Sequence, residues 1–382
     1  MMPIFYLFVI HMKTQRFETF FDAVIAIIIT VLVLKLVQPT APTFDALGSL
    51  ISFYMAYFVC FLMIFNIWHG NHNLFQKIDE IDNRTLFFYG LLLFSMSLLP
   101  YFSVWLTLNP YSIASETMFG LNFLFIQVMY LLSLNAIAKA NPGIVLTDFK
   151  NINTYFTTII ILIGFALTYT IYPPGIDLCC VIAVVYATFS HNTIRHEIVD
   201  SERFESLIDA IIAIVLTIIV LEITMAHGGN WQDLFDLKLE FVAYAISFLL
   251  CFNYWLYNTN LFHFVKRIDY RVIWTSRISL FILSLVPYLT KFVAENFYVF
   301  APQALYGAEY LAITASGIFL KRYLIKADPE NEELINVYDN YSFLMVFALV
   351  MVGMVIGYLW WPPAVILSCL ITIPLGWVMV KL

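Results

Sequence analysis

The sequence predicts an all-α, polytopic membrane protein built from two parallel six-helix transmembrane repeats. Three observations predict it. The composition is 62% hydrophobic and only 12% charged, whereas a soluble domain carries about 25% charged residues. Twelve apolar runs come near the roughly 20 residues that cross a bilayer as a helix. The second half of the chain also restates the first at a constant offset of 187 residues. The small net charge of -7 gives no basis for a nucleic-acid partner.

The repeat is carried by separate motifs. Arg16-Phe17-Glu18 and Asp22-Ala23 return as Arg203-Phe204-Glu205 and Asp209-Ala210. Phe65-Asn66-x-Trp68 and Asn73-Leu74-Phe75 return as Phe252-Asn253-x-Trp255 and Asn260-Leu261-Phe262. Ile81-Asp82-x-Arg84 returns as Ile268-Asp269-x-Arg271, and Pro100-Tyr101 as Pro287-Tyr288. One offset through all of them marks a duplicated unit, with a first repeat at 1–196 and a second at 197–382.

The expected spans of the first repeat lie at 20–37, 47–68, 86–106, 117–138, 154–171 and 175–190. Those of the second lie at 207–224, 239–257, 273–293, 302–320, 341–360 and 364–381. Tyr172-Pro173-Pro174 and Trp361-Pro362-Pro363 are tight turns between the last two spans of each half, because proline removes a donor and stops a helix. With the N-terminus inside, sixteen of the nineteen Lys and Arg fall on inner segments, Lys35, Lys238 and Lys291 excepted. Six spans per half is even, so both halves enter in the same orientation, related by an axis along the membrane normal. Both termini are expected to be cytoplasmic. Residues 1–10 are too short to span and lack a basic leader, and Met12 offers a second translation start. Residues 191–206 read as the polar inter-repeat linker and 326–333 as a solvated acidic loop. The five cysteines sit in apolar runs without ligand spacing and read as reduced packing residues.

The first span of each half is the most similar pair. At about 100° per residue, Ile27, Thr30 and Leu34 share a stripe about 60° wide, as do Ile214, Thr217 and Leu221. Four such stripes around an axis would make a narrow pore with a greasy constriction and a ring of hydroxyl oxygens. Plain bundle packing is the alternative reading of the same spacing. Asp22 and Asp209 lie about 140° from the stripe and near helix N-termini, where carboxylates are favoured. They read as a structural lock with Arg16 and Arg203 and with donors on the second helix of each half: Trp68, Asn71 and His72, and Trp255 and Asn258.

Arg-x-x-x-Phe-x-Asp-Ala opening the first helix, followed later by Trp-x-x-x-x-x-Leu-Phe, resembles the lysosomal and prokaryotic potassium channel family of transmembrane protein 175. The resemblance covers nearly the whole chain and implies a two-repeat member that works as a homodimer, pseudo-fourfold, with four first helices around the pore. It implies potassium as the permeant ion, a lipid bilayer as surroundings, and selectivity at Ile27, Thr30, Ile214 and Thr217. The sequence departs from the family motif: its serine is Phe21 and Ile208, its phenylalanine is Leu207 in the second repeat, and a histidine after the tryptophan is Asn71 and Asn258. At the outer end of the first helix, Glu222 in the second repeat stands against Lys35 in the first. In a dimer the two would alternate around the outer mouth as ion pairs, or snorkel separately. Glu309 is a further intramembrane carboxylate, opposite Asn122 in the first repeat, with Lys291 as a candidate partner.

The expected function is a potassium-selective, leak-type cation channel. A secondary transporter with parallel repeats, or a proton-conducting channel, is the alternative. Transporters favour interrupted helices at mid-membrane, whereas the first and seventh spans are unbroken and Pro100 and Pro287 come late in theirs. No enzyme is expected, since neither His-Glu-x-x-His nor Gly-x-Ser-x-Gly occurs. No metal or cofactor site is expected beyond the permeant ion. A bacterial plasma membrane is the expected host.

Overall fold

The computed structural model describes residues 12–78, 80–141, 155–190, 199–263, 265, 267–327 and 340–379. The N-terminal stretch 1–10, residues 191–198 of the 191–206 linker and residues 328–333 of the 326–333 loop lie outside them. In the first repeat, α1 (Thr14–Leu34), α2 (Phe44–Gly48), α3 (Ile51–Phe75), α4 (Asn83–Ser97), α5 (Leu99–Leu108), α6 (Ile113–Ala140), α7 (Phe156–Thr170) and α8 (Gly175–Ser190) follow in order. The second repeat holds α9 (Ser201–Ile219), α10 (Trp231–Asp236), α11 (Lys238–Phe262), α12 (Tyr270–Ser284), α13 (Val286–Glu295), α14 (Phe300–Ala327), α15 (Asn340–Leu359) and α16 (Ala364–Met379). Both ends of α3, α4, α5 and α6 map onto those of α11, α12, α13 and α14 at the offset of 187 that the motifs set.

Seven helical stretches are long and apolar enough to cross a membrane, and four shorter apolar helices accompany them. The chain is a multi-pass integral membrane protein. Many large apolar side chains are exposed, Leu178, Val355 and Ile371 among them, which suits acyl chains and not water. Helix α14, where a span was expected at 302–320, is not among the seven.

The expected third and ninth spans fall within the single apolar stretches Asn83–Leu108 and Tyr270–Glu295, each made of two helices separated by one residue. Asp82 and Asp269 start α4 and α12 by accepting backbone N–H groups of the first turn at 3.0 Å. Pro100 and Pro287, without an N–H to offer, then stand at the start of α5 and α13, and a single residue, Leu98 or Leu285, separates each pair of helices. The all-α expectation also needs a small correction. Strand β1 (Met12–Lys13) pairs antiparallel with β2 (Glu80–Ile81), and β3 (Val199–Asp200) pairs with β4 (Arg267–Ile268). Each ladder ties the chain entering the first helix to the loop after the second long helix. Two residues are too few to leave an alternating pattern in the sequence.

Two compact units form: Met1–Lys35 with Ser52–Asn192, and Leu36–Ile51 with Thr193–Leu382. The segment Leu36–Ile51 is first-repeat sequence that belongs in space to the second unit. Within unit 1, Phe17, Phe21, Phe75 and Tyr89 pack edge-on and tilted at 5.2–6.2 Å between centroids. Within unit 2, Ala243, Leu250, Val293, Tyr306, Val350 and Ile366 form a buried apolar core. Helix α7 lies close against α8 because Gly164 has no side chain: a Cβ there would sit 2.9 Å from Cys179 Cβ and 3.1 Å from Ile176 Cα. Gly353 does the same for α15 and α16. Small residues at helix crossings are the means by which membrane helices approach without a hydrophobic driving force. All five cysteines are buried and unpaired.

Candidate pore helices and the aspartate–tryptophan lock

Helix α1 runs unbroken for 21 residues, while α9 tightens into a 3-10 turn over Val220–Glu222. Thr30 Oγ donates to the carbonyls of Ala26 at 3.0 Å and Ile27 at 2.9 Å. Thr217 Oγ donates to Ile214 O at 2.9 Å. This back-bonding satisfies each hydroxyl proton within its own helix and leaves the oxygen lone pairs as acceptors. The stripe residues differ in cover. Ile27 is exposed, Thr30 buried and Leu34 half-buried; Ile214 is half-buried, while Thr217 and Leu221 are exposed.

In the N-terminal halves of α1 and α9, Trp68 Nε1 donates to Asp22 Oδ1 at 2.8 Å, and Trp255 Nε1 donates to Asp209 Oδ1 at 2.8 Å. Each bond ties the first helix to the second long helix of its repeat, α1 to α3 and α9 to α11. Trp68 is stacked on His72 at 5.0 Å. Beyond that the two sites diverge. Asn71 Oδ1 accepts from Tyr89 Oη at 2.7 Å, whereas Asn258 Nδ2 turns back to Tyr254 O at 2.9 Å. Arg16 is exposed and Arg203 half-buried. Asp22 is buried, but Asp209 is exposed.

Just past the C-terminal end of α9, Lys291 Nζ lies 3.1 Å from Glu222 Oε2. The sequence-level pairing of Lys291 with Glu309 is therefore not formed, because the lysine reaches the nearer carboxylate on the 3-10 turn. Glu240 accepts from Thr224 N at 2.8 Å and also from its hydroxyl. These contacts hold the end of the helix against α11 and α13. Lys35, the residue of the first repeat at Glu222's position, is exposed. Glu309 is buried, with Oε1 lacking a hydrogen-bond partner among the described residues. Its counterpart Asn122 accepts from Ser95 Oγ at 2.8 Å. Isoleucine 282 replaces that serine in the second repeat.

Sequence reasoning missed two groups. Glu116 is buried and accepts from Asp177 N at 3.0 Å, bonding the first turn of α8. Gln303, at its repeat position, accepts from Ile366 N at 3.3 Å at the start of α16. The recurrence of an acid or amide near the start of both long helices was the available signal. Arg277, counted among inner positive residues, lies in the second turn of α12, buried, with its guanidinium 4.4 Å from the centre of the Trp274 ring.

The sequence profile of the family described as endosomal/lysosomal potassium channel TMEM175 matches residues 16–100 and again 203–287. Both matches open at the arginine of a first helix and end at the proline after the helix break. A potassium channel of Chryseobacterium sp. (strain P1-3) is 31% identical over 132 residues, which are 35% of this chain and 69% of that protein. A potassium channel of Streptomyces collinus is 29% identical over 100 residues, 25% of this chain and 48% of the relative. One of Chamaesiphon minutus is 29% identical over 127 residues, 32% of this chain and 60% of the relative. The chain belongs to the TMEM175 potassium channel family.

Proposed function

We propose that this protein is a potassium-selective, leak-type cation channel that works as a homodimer of twelve-span subunits. The first helix of each repeat, α1 and α9, lines the pore. The constriction is formed by Ile27 and Ile214 with Leu34 and Leu221, and the oxygen layer by Thr30 and Thr217. The observation that carries the reading is the family match falling twice on one chain, each time beginning at the helix that bears the Ile-x-x-Thr-x-x-x-Leu stripe. A constriction of branched apolar side chains excludes freely hydrated ions, and hydroxyl oxygens beside it offset part of the lost hydration. The pore is set in a bacterial plasma membrane with both termini cytoplasmic. Flux into liposomes under potassium or sodium gradients tests it. The Ile27→Asn/Ile214→Asn variant raises sodium flux and narrows the preference for potassium; unchanged discrimination removes these residues from the pore.

A further inference from the structure

We infer that two copies of this chain join through the segment after α9 of one copy, which covers Tyr101 of the other. The inference rests on the homodimer reading and assigns its contact surface.

The Pro-Tyr motif repeats in sequence, yet its two tyrosines have opposite environments. Phe281, Ser284, Tyr288 and Phe292 share one face of α12 and α13, at spacings of three and four residues. That face is covered in unit 2: Ser284 is 0%, Tyr288 4% and Phe292 1% exposed. The cover at Tyr288 is the segment Leu36–Ile51, which clusters with this unit. Gln38 Nε2 donates to Tyr288 O at 3.1 Å, and Tyr288 Oη donates to Val37 O at 3.0 Å. The repeat-equivalent face on α4 and α5 carries Phe94, Ser97, Tyr101 and Trp105. It is open: Phe94 is 60% and Tyr101 65% exposed. The Tyr101 hydroxyl has no hydrogen-bond partner among the described residues.

The matching segment is open as well. Residues 223–228 follow α9 as 36–41 follow α1, placing Thr224 at the position of Val37 and Met225 at that of Gln38. Met225 is 88% exposed. Thus one joint of this kind is made within the chain, and both halves of a second are presented to the outside. The first helices show the reverse asymmetry: Asp22, Ala26 and Thr30 are buried, while Asp209, Ala213 and Thr217 are exposed. The first repeat lacks cover on α4 and α5, and the second lacks it along α9. A contact of this kind, made once inside each chain and once in each direction between two copies, uses both open halves of each chain. Tyr101 Oη would then donate to the Thr224 carbonyl of the partner subunit, with Met225 of the partner subunit over the ring.

The test uses two differently tagged copies co-expressed in one membrane, one carrying Tyr101→Cys and the other Met225→Cys. The native thiols are buried and give little background. A short bis-maleimide is expected to link the two tags, and Gln38→Cys/Tyr288→Cys in one chain to close without making a dimer. Copies that co-purify but do not link through 101 and 225, while 38 and 288 close, overturn the contact and leave the dimer standing; lipid then covers Tyr101. Copies that never co-purify sink the dimer reading and this contact with it. Met225→Gln, which restores the side-chain donor of the intrachain joint, is expected to raise the dimer fraction severalfold at fixed detergent. No gain, or a loss, counts against the contact.

Discussion

Helices α3 and α6 of the first repeat cross at Gly70 and Tyr130, and α11 and α14 of the second cross at Tyr257 and Gly317. The same two positions hold the same two residue types, exchanged. Adding only a Cβ at Gly70 would drive it into Tyr130 Oη and to 3.5 Å from Cζ, and a Cβ at Gly317 would lie 2.9 Å from Tyr257 Cε1. Gly70→Tyr alone therefore puts two rings where there is room for one, and overpacking of this kind costs about 1–3 kcal/mol or more. Tyr130→Gly alone empties the crossing, and losing a packed aromatic costs about 3–5 kcal/mol. Additive effects would place the double variant about 4–8 kcal/mol below the parent. The second repeat shows the exchanged arrangement to be a good solution, with Tyr257 Oη donating to Gly317 O at 2.9 Å. The double variant is therefore expected within about 1–2 kcal/mol of the parent, a coupling of several kcal/mol between directly touching residues. The assay is a double-mutant cycle in apparent unfolding temperature, read by the surviving monodisperse fraction after heating in detergent at one scan rate. A double variant no better than the worse single one would refute complementary packing at this crossing.

Other outcomes follow from the same structure. Gly353→Ala is expected to lower stability by about 1–3 kcal/mol in the same heating assay, because its Cβ would meet Ser368 Cβ at 2.5 Å and the Ala364 carbonyl at 3.0 Å; unchanged midpoints would mean that α15 and α16 part freely. Lys291→Ala is expected to cost at most about 1 kcal/mol, less at high salt, since the Lys291–Glu222 pair is partly exposed at 30% and 15%. A salt-independent loss would show that the lysine acts by packing. Glu309→Gln is expected to leave the midpoint unchanged or raise it, because the carboxylate has no ion-pair partner among the described residues to lose. A drop of more than about 2 kcal/mol would reveal a partner for the charge. Trp68→Phe removes a bond to a carboxylate and is expected to cost about 1.5–3 kcal/mol, measured against Trp255→Phe; no loss from Trp68→Phe would show that Asp22 is held by other groups.

The helical class, the duplication and several helix boundaries were legible in sequence, each for a local reason. Composition excludes a water-facing surface. Asp82 and Asp269 announce helix starts because a short acidic side chain meets free N–H groups. Pro100 and Pro287 announce breaks because they lack one. Both prolines lie inside spans read as continuous from hydropathy, and each stretch remains one apolar span of two successive helices. The two-residue ladders left no pattern to read. The exchange of Gly70 and Tyr130 for Tyr257 and Gly317 was visible letter by letter, but nothing local says that residues 60 apart touch. Which carboxylate Lys291 takes, and which of two equivalent tyrosines is covered, are decided by distance between elements remote in the chain. The sequence by itself determined what each repeat is made of. Tertiary structure alone decided that equal residues in the two repeats have unequal surroundings, because cover depends on what the rest of the chain lays over a surface.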